Sequence, residues 1–245
     1  YEARLVAGGH MTGTDKEDSY SGVVSLKSMR LAMLVGEMNG LHSMVGDIGN
    51  AYLESFTKEK VGFIAGPEFG PLEGHTFIIV KALYGLRTSG ARFHEKLSDT
   101  LRSEGFVPSL ADSDLWIRDA GDVYEYVCVY VDDLMAVMKD PAEFFRRLSD
   151  VNIHNYKLKG VGPPEYHLGG NFGRDPDGTL WWGSQSYVEK MLKNYERQFG
   201  SMPHKKSSPL VDGDHPELDT TDLLDEANKT VYMSMVGAMQ WAVTL

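Results

Sequence analysis

Two adjacent carboxylates in the middle of an apolar, strand-forming segment constrain this chain more than any other feature. The segment Tyr124–Met138 reads YEYVCVYVDDLMAVM, two β-rich runs that meet at Asp132 and Asp133. We predict a β-hairpin whose turn lies at or beside these two aspartates. Burying unpaired carboxylates is costly, so such groups normally take up a proton or bind a cation. The pattern alone leaves two interpretations open, a polar turn and a metal site.

A metal site at this hairpin would suit Mg²⁺, a hard cation that prefers oxygen ligands. Mg²⁺ usually takes one or two carboxylates and completes its shell with water and substrate phosphates. Two such ions about 4 Å apart can activate an attacking hydroxyl and stabilise a leaving oxygen in phosphoryl transfer. That chemistry needs a third carboxylate. Asp47 is the leading candidate because it also lies in an apolar, glycine-containing segment.

Apolar spacing predicts the helices and strands that surround the hairpin. Helices are expected at 24–38, ended by the Asn-Gly pair at 39–40, at 90–105, and at about 142–150 after Pro141. The residues from Leu41 to Leu53 predict a short strand that runs into a helix start. The continuous apolar run from His75 to Leu86 predicts a buried strand followed by a turn at Gly85.

The second half of the chain predicts shorter strands and two further helices. Strands broken by turn residues are expected after Tyr156, and the DPDG sequence at 175–178 signals a hairpin turn. A helix follows, with Ser186 as its N-cap and Gly200 as its stop. The stretch 201–229 is rich in Pro, Ser and Asp and is the best linker candidate, and a last helix begins near Leu223 or later.

Composition narrows the class of protein. No stretch approaches the roughly 18 consecutive apolar residues of a membrane span, and the first residues lack the apolar core of a signal peptide, so we expect an intracellular protein. The single Cys128 excludes an internal disulfide framework, and no spaced Cys/His zinc pattern is present. The net charge of −11 opposes phosphate binding by the whole surface, although Lys/Arg residues cluster locally, as at Lys157 and Lys159.

Several motifs then resemble one family. YVDD at 130–133 is similar to the catalytic hairpin of reverse transcriptases, and DIGNAYL at 47–53 resembles the first catalytic-aspartate motif, about 85 residues upstream. KALYGL at 81–86, YHLGG at 166–170 and SQSYVEKML at 184–192 are typical of the copia-type retrotransposon subgroup. The resemblance covers nearly the whole chain and implies the polymerase region of a Pol polyprotein. The start at Tyr1 and the apolar end lead us to expect a piece of a longer chain.

The resemblance implies a fold as well as an activity. It implies an α+β right-hand polymerase with fingers, a palm that bears an antiparallel sheet with helices on one face, and an incomplete thumb. The implied boundaries are fingers at 1–46, palm at 47–60, fingers at 61–87, palm at 88–170, and a truncated thumb-like or connection segment at 171–245.

The resemblance also implies roles for individual residues. Asp47, Asp132 and Asp133 would be both the catalytic residues and the metal ligands. Arg4, Ile48 and Tyr52 would bind the nucleotide, with Tyr52 as a steric gate against a ribose 2′-hydroxyl. Leu168 and Gly169 would grip the primer. The alternatives without a role in nucleotide binding are core packing for Tyr52 and a surface charge for Arg4.

Two segments depart from the family pattern. Glu2 and Gly8 occupy positions that are usually basic, and RTSGARF at 87–93 replaces the usual KQAPRAW. The implied function is RNA-directed DNA polymerase with Mg²⁺ or Mn²⁺, a template with primer, and deoxynucleoside triphosphates. RNase H and integrase domains are expected outside this chain, and the implied location is a cytoplasmic virus-like particle with a nuclear phase. The alternative is an inactive remnant that acts at most as a nucleic-acid or protein interaction module.

Overall fold

The computed structural model describes residues 5–11, 19, 21–208, 215–218 and 220–245, and the chain divides into two compact units, 1–163 and 164–245. The first unit contains three α-helices. These are α1 (Leu26–Met38), α2 (Ser89–Ser103) and α3 (Pro141–Ser149). Its strands are β1 (His42–Ile48), β2 (Phe56–Ile64), β3 (Thr76–Lys81), β4 (Val107–Pro108), β5 (Leu115–Asp119), β6 (Tyr124–Tyr130), β7 (Asp133–Met138) and β8 (Leu158–Gly162).

Six of these strands form one antiparallel sheet in the order β4-β5-β6-β7-β1-β8. The predicted hairpin is confirmed, since β6 and β7 pair from Tyr126 opposite Val137 to Tyr130 opposite Asp133. β1 lies between β7 and β8, so a strand from early in the chain is inserted beside the hairpin. The predicted strand and helix start at 41–53 are also confirmed, as β1 followed by a 3-10 helix at Ala51–Glu54.

Helices cover both faces of this sheet, which corrects the expectation of helices on one face only. On one face, β7 packs its alternate residues Leu134, Ala136 and Met138 into the core with α2 and α3. On the other face α1 packs against β1, β6 and β7, and Gly36 approaches the side chain of Val137. A strand buried on both sides needs apolar residues at every position. This explains the unbroken apolar run LMAVM, whose five residues are all buried.

The three helices of the first unit lie within two residues of their predicted positions. At the start of α1 the Ser25 side chain accepts a hydrogen bond from the Ser28 amide, and at the start of α3 Asp140 accepts one from the Glu143 amide. Each cap satisfies a backbone donor that has no partner within the helix. The amphipathic prediction for α2 is confirmed by the burial of Phe93, Leu97 and Leu101 on one side.

The strand predicted at 75–86 forms, but most of it is not buried. Among the described residues β3 pairs with β2 alone, in a two-stranded ribbon, and Ile79 is the single buried residue of β3. Ile78 and Val80 are exposed to 60% and 58%. A continuous apolar run has the composition of a strand buried on both faces, but the face of β3 that carries Ile78 and Val80 is in solvent. The predicted turn is confirmed at Gly85, which has φ +91°.

The described residues of the second unit include a three-stranded sheet and two α-helices. These are β9 (Tyr166–His167), β10 (Gly170–Arg174), β11 (Leu180–Gly183), α4 (Gln185–Phe199) and α5 (Glu226–Thr244). The DPDG hairpin turn is confirmed between β10 and β11, with Gly178 at φ +88°. The linker was predicted at 201–229, and its described residues up to Asp225 are exposed, but its last four residues belong to α5, which begins at Glu226.

The start of α4 differs from the prediction. Ser184 is the N-cap residue, and Ser186 lies inside the helix. The side chain of Asn171 on β10 accepts a hydrogen bond from the Ser186 amide at 2.8 Å and donates one to its hydroxyl, also at 2.8 Å. A residue from a neighbouring strand therefore caps the helix, which no local pattern could indicate. The predicted stop at Gly200 is confirmed, with φ +76°.

None of the described helices combines the length and the apolar character needed to cross a lipid bilayer.

Candidate active site

The turn of the central hairpin presents the two adjacent aspartates. Val131 and Asp132 form the two-residue loop between β6 and β7, and Asp133 is the first residue of β7. Val131 has φ +58°, whereas Asp132 does not have a positive φ, the combination found in a type II′ turn. Glycine is the usual residue at that first position because a β-branched side chain is strained there. The tip of the hairpin is therefore held in a costly conformation by the strands on either side.

The third aspartate reaches the same edge of the sheet through strand pairing. Asp47 on β1 lies directly opposite Asp133 on β7, and the Ile48 amide donates a hydrogen bond to the Asp132 carbonyl oxygen at 2.9 Å. The hairpin turn is thus bonded to the end of β1. The structure brings Asp47, Asp132 and Asp133 to the same edge of the sheet, although 84 residues lie between Asp47 and Asp132 in the sequence.

The carboxylates interact electrostatically. Burial, together with the negative charges of Asp132 and Asp47, raises the pKa of Asp133 to about 6. Like charges in a partly dehydrated site oppose ionisation, because each added charge is repelled by those already present. Ionisation of this group of carboxylates at neutral pH therefore destabilises the folded state.

The donor set fits a divalent metal ion in its chemistry but is not pre-assembled as a ligand shell. Three carboxylates offer the hard oxygens that Mg²⁺ and Mn²⁺ take, and a cation would relieve the repulsion that raises the Asp133 pKa. Among the side chains that the structure describes, however, no three His, Cys, Asp or Glu groups stand close enough to hold an ion together. The carboxylates that would hold it are Asp47, Asp132 and Asp133, after rotation of their side chains.

Replacing Asp133 with asparagine is expected to raise the free energy of unfolding in metal-free buffer at pH 7, by about 1 kcal/mol. The sign follows from the raised pKa, since a carboxylate that ionises less readily in the folded than in the unfolded state destabilises the fold once charged. Denaturant unfolding with and without Mg²⁺ measures the effect, and the gain should shrink when Mg²⁺ is added. Asp99→Asn, on the exposed side of α2, is the matched control. A destabilised Asp133→Asn protein would contradict the repulsion.

A lysine adjoins the carboxylates on their other side. Lys159 on β8 is the register partner of Asp47, and its aliphatic carbons lie against Gly49, where a Cβ would come within 3.0 Å of Cε. The Gly49 amide donates a hydrogen bond to the Lys157 carbonyl oxygen at 2.7 Å. The basic pair noted in the sequence therefore includes a residue beside the site. Its position depends on the pairing of β8 with β1, which the spacing of the charges did not indicate.

Tyr52 stands next to the aspartates, in the 3-10 helix Ala51–Glu54 that follows β1. Burial raises the pKa of its hydroxyl, and the negative charge of Asp132 adds to that effect. Ile48, by contrast, has a fully buried side chain in the hydrophobic core. Because that side chain is not exposed, Ile48 could contact a nucleotide only through its backbone.

The remaining predicted residues lie outside the described part of the first unit. Arg4 lies outside the described residues. Leu168 and Gly169 belong to the second unit, where they form the tight turn between β9 and β10 with φ +48° and +88°. Within that unit, a Cβ on Gly169 would lie 3.2 Å from the Leu245 side chain. The glycine therefore permits a close approach between this turn and the end of α5.

The family model for reverse transcriptase (RNA-dependent DNA polymerase) matches residues 1–201. The retrovirus-related Pol polyproteins from transposons RE1 and RE2 of Arabidopsis thaliana are 26% and 28% identical over 245 residues, 98% of this chain and 16% of each relative. A transposon Ty5-1 protein of Saccharomyces cerevisiae is 25% identical over 198 residues, 79% of this chain and 61% of the relative. The chain thus spans about one sixth of the length of the plant polyproteins.

Proposed function

Because the chain belongs to the reverse transcriptase (RNA-dependent DNA polymerase) family, with copia-type retrotransposon Pol polyproteins as its relatives, we propose that it adds deoxynucleotides to a primer 3′ end on an RNA or DNA template. The observation that supports this activity most directly is the pairing of Asp47 with Asp133 beside Asp132, at one edge of the antiparallel sheet. Carboxylates at the ends of adjacent strands are suited to hold the divalent ions that reverse transcriptases generally use.

The proposed architecture is a right hand built around that sheet. The six-stranded sheet with α2 and α3 would form the palm, since β1, β6 and β7 carry the three carboxylates. The β2–β3 ribbon, which is a separate two-stranded sheet, would belong to the fingers from residue 61 onward. Residues 171–245 would form the incomplete, thumb-like segment.

The proposed chemistry is in-line attack of the primer 3′-hydroxyl on the α-phosphorus of the incoming nucleotide, with pyrophosphate as the product. Divalent ions, when bound, would lower the pKa of the attacking hydroxyl and offset the charge that develops on the phosphate oxygens. Asp47, Asp132 and Asp133 would hold and orient the reacting groups at this edge. Their rigid strands contribute by positioning, because alignment of the reacting atoms accounts for much of the rate in phosphoryl transfer.

Substrate recognition would be divided among several groups. Tyr52 would exclude a ribose 2′-hydroxyl, the Ile48 backbone and Arg4 would contact the nucleotide, and Leu168 with Gly169 would hold the primer end. Sequence would be read by base pairing with the template, so the protein needs contacts to the backbone rather than to base edges. We expect an affinity for primer–template that falls as salt is raised. The proposed partners also include the other Pol domains, RNase H and integrase, and the proposed location is a cytoplasmic virus-like particle with a nuclear phase.

Primer extension on poly(rA) with an oligo(dT) primer tests the proposal. We expect incorporation of dTTP that requires the template and either Mg²⁺ or Mn²⁺, and that stops when EDTA is added. The assay should be run on this chain and on a longer one that includes the flanking Pol sequence. A folded protein that binds primer–template but incorporates no nucleotide in either form would favour the alternative, an inactive remnant that serves only as an interaction module.

A further inference from the structure

The ring of Tyr52 lies near two other aromatic rings. Its centroid lies 4.8 Å from that of Tyr84, with 37° between the ring planes, and 6.3 Å from that of Phe93, with 55° between the planes. Phe93 is a core residue of α2 and only 2% exposed, whereas Tyr84 is partly buried. Phe93 therefore supplies a fixed neighbour from the core, and Tyr84 supplies a nearer one from the turn after β3.

The backbone that carries Tyr84 is fixed by two separate contacts. The Ala7 amide donates a hydrogen bond to the Tyr84 carbonyl oxygen at 2.7 Å, and the Ser89 hydroxyl donates one to the Leu83 carbonyl oxygen at 2.7 Å. At Gly85, with φ +91°, a Cβ would overlap the Ala7 carbonyl oxygen. The turn that bears Tyr84 thus has little freedom to shift, and its ring is a stable support.

The hydroxyl end of Tyr52 is not crowded by Gly90. A Cβ on Gly90 would lie 3.9 Å from the Tyr52 hydroxyl oxygen, an ordinary contact distance, so the glycine leaves space on this side. The negative charge of Asp132 acts on the same hydroxyl. Tyr84 and Phe93 are therefore the neighbouring rings that can fix the angle of the Tyr52 ring beside the carboxylates.

We propose that Tyr84 is a positioning residue that fixes the ring of Tyr52 and thereby sets the discrimination between deoxyribonucleotides and ribonucleotides. The inference rests on the proposed polymerase function and on Tyr52 as its steric gate. Exclusion of a single hydroxyl by a ring depends on where the ring edge lies, so loss of the supporting ring lets Tyr52 turn away. Tyr84 therefore acts on nucleotide selection only through the position of the Tyr52 ring.

The test is the ratio of kcat/KM for dTTP to that for UTP on poly(rA)–oligo(dT), measured with the full chain and four variants. Tyr84→Ala and Tyr84→Leu remove the flat ring, and Tyr84→Phe keeps it. Tyr52→Ala removes the gate itself. We expect Tyr84→Ala and Tyr84→Leu to lower the ratio by about tenfold, mainly through a lower KM for UTP, with kcat for dTTP little changed. Tyr84→Phe should keep the wild-type ratio, and thermal unfolding reports whether each variant is folded.

The outcomes separate this inference from the function on which it rests. A folded Tyr84→Leu protein with the wild-type ratio overturns the role of Tyr84, as does a Tyr84→Phe protein that loses as much discrimination as Tyr84→Ala. If Tyr52→Ala leaves the ratio unchanged, Tyr52 is not the steric gate, and the proposed role of Tyr84 in positioning it is overturned as well. A folded wild-type protein that extends no primer, both as this chain and with the flanking Pol sequence restored, overturns the proposed function and this inference together.

Discussion

Template-dependent primer extension is expected to fall by roughly a thousandfold or more when Asp132 and Asp133 are both replaced by asparagine. Asparagine keeps the shape of the side chain but removes the negative charge that would hold a divalent cation. The hairpin itself should persist, because the hydrogen bond from the Ile48 amide goes to the backbone carbonyl of Asp132. The measurement is dTTP incorporation on poly(rA)–oligo(dT) at saturating Mg²⁺, with circular dichroism to compare the folds.

The control for this double variant is Asp99→Asn, the same chemical change at an exposed position of α2 that pairs with nearby Arg102. It should leave incorporation unchanged. Activity that survives in the double variant would mean that the catalytic carboxylates lie elsewhere, even if the chain is a polymerase. The single variants then rank the two aspartates, since Asp133 faces Asp47 across the strands whereas Asp132 occupies the turn.

Replacing Glu104 with glutamine is expected to lower the free energy of unfolding by about 3 kcal/mol. The Glu104 carboxylate is 5% exposed and accepts hydrogen bonds from Nε and Nη2 of Arg147, each at 2.8 Å, and from Nε2 of His154 at 2.7 Å. Glu104 follows the last residue of α2, whereas Arg147 lies on α3 and His154 follows it. One carboxylate therefore joins two helices and a loop, and a neutral amide cannot accept all three bonds.

The Glu104 interaction should also depend on pH. The hydrogen bonds from Arg147, and more weakly those from His154, lower the pKa of Glu104 in the folded state despite its burial. A lowered pKa means that the stabilisation is complete above the unfolded-state value of about 4.3 and is lost as the pH falls through the folded-state value. Wild-type stability should therefore fall on acidification in that window, and the slope should be shallower in Glu104→Gln.

Urea unfolding at pH 7 and at several values below pH 5 measures both effects. The matched control is Glu143→Gln on α3, whose exposed carboxylate pairs with Arg146 on the same helix. Exposed ion pairs within a helix contribute little to stability, so this variant should unfold close to the wild type. Equal losses in the two variants would show that Glu104 does not join the helices as the distances indicate.

Local structure was largely predictable because its causes are local. The hairpin at Tyr124–Met138, the cap at Asp140 and the turn at Gly178 each depend on residues a few positions apart. The motifs also named the three aspartates, since their residue types and order mark a carboxylate site of this family. What the motifs could not supply was the register that sets Asp47 opposite Asp133, because it depends on hydrogen bonds between strands far apart in the chain.

The predictions that were wrong also concern contacts between residues far apart in the sequence. The apolar run at β3 predicted a buried strand, yet burial depends on what covers the strand, and the ribbon leaves Ile78 and Val80 in solvent. Ser186 was a reasonable cap by its position, but Asn171 from another strand supplies the hydrogen bond. Helices on one face of the sheet were expected, and α1 covers the second face. Each of these was decided by a partner distant in sequence.

The sequence by itself determined the family, the order of most helices and strands, and the three carboxylates on which the proposed chemistry depends. The family follows from the resemblance of the motifs, and the rest follows from apolar spacing, turn chemistry and the cost of placing charges in an apolar segment. Only the tertiary structure decided that β1 lies between β7 and β8, that Lys159 adjoins Asp47, and that Tyr84 packs on Tyr52. Such contacts depend on which surfaces bury one another once the chain is compact, and residues far apart in sequence carry no local signal of that choice.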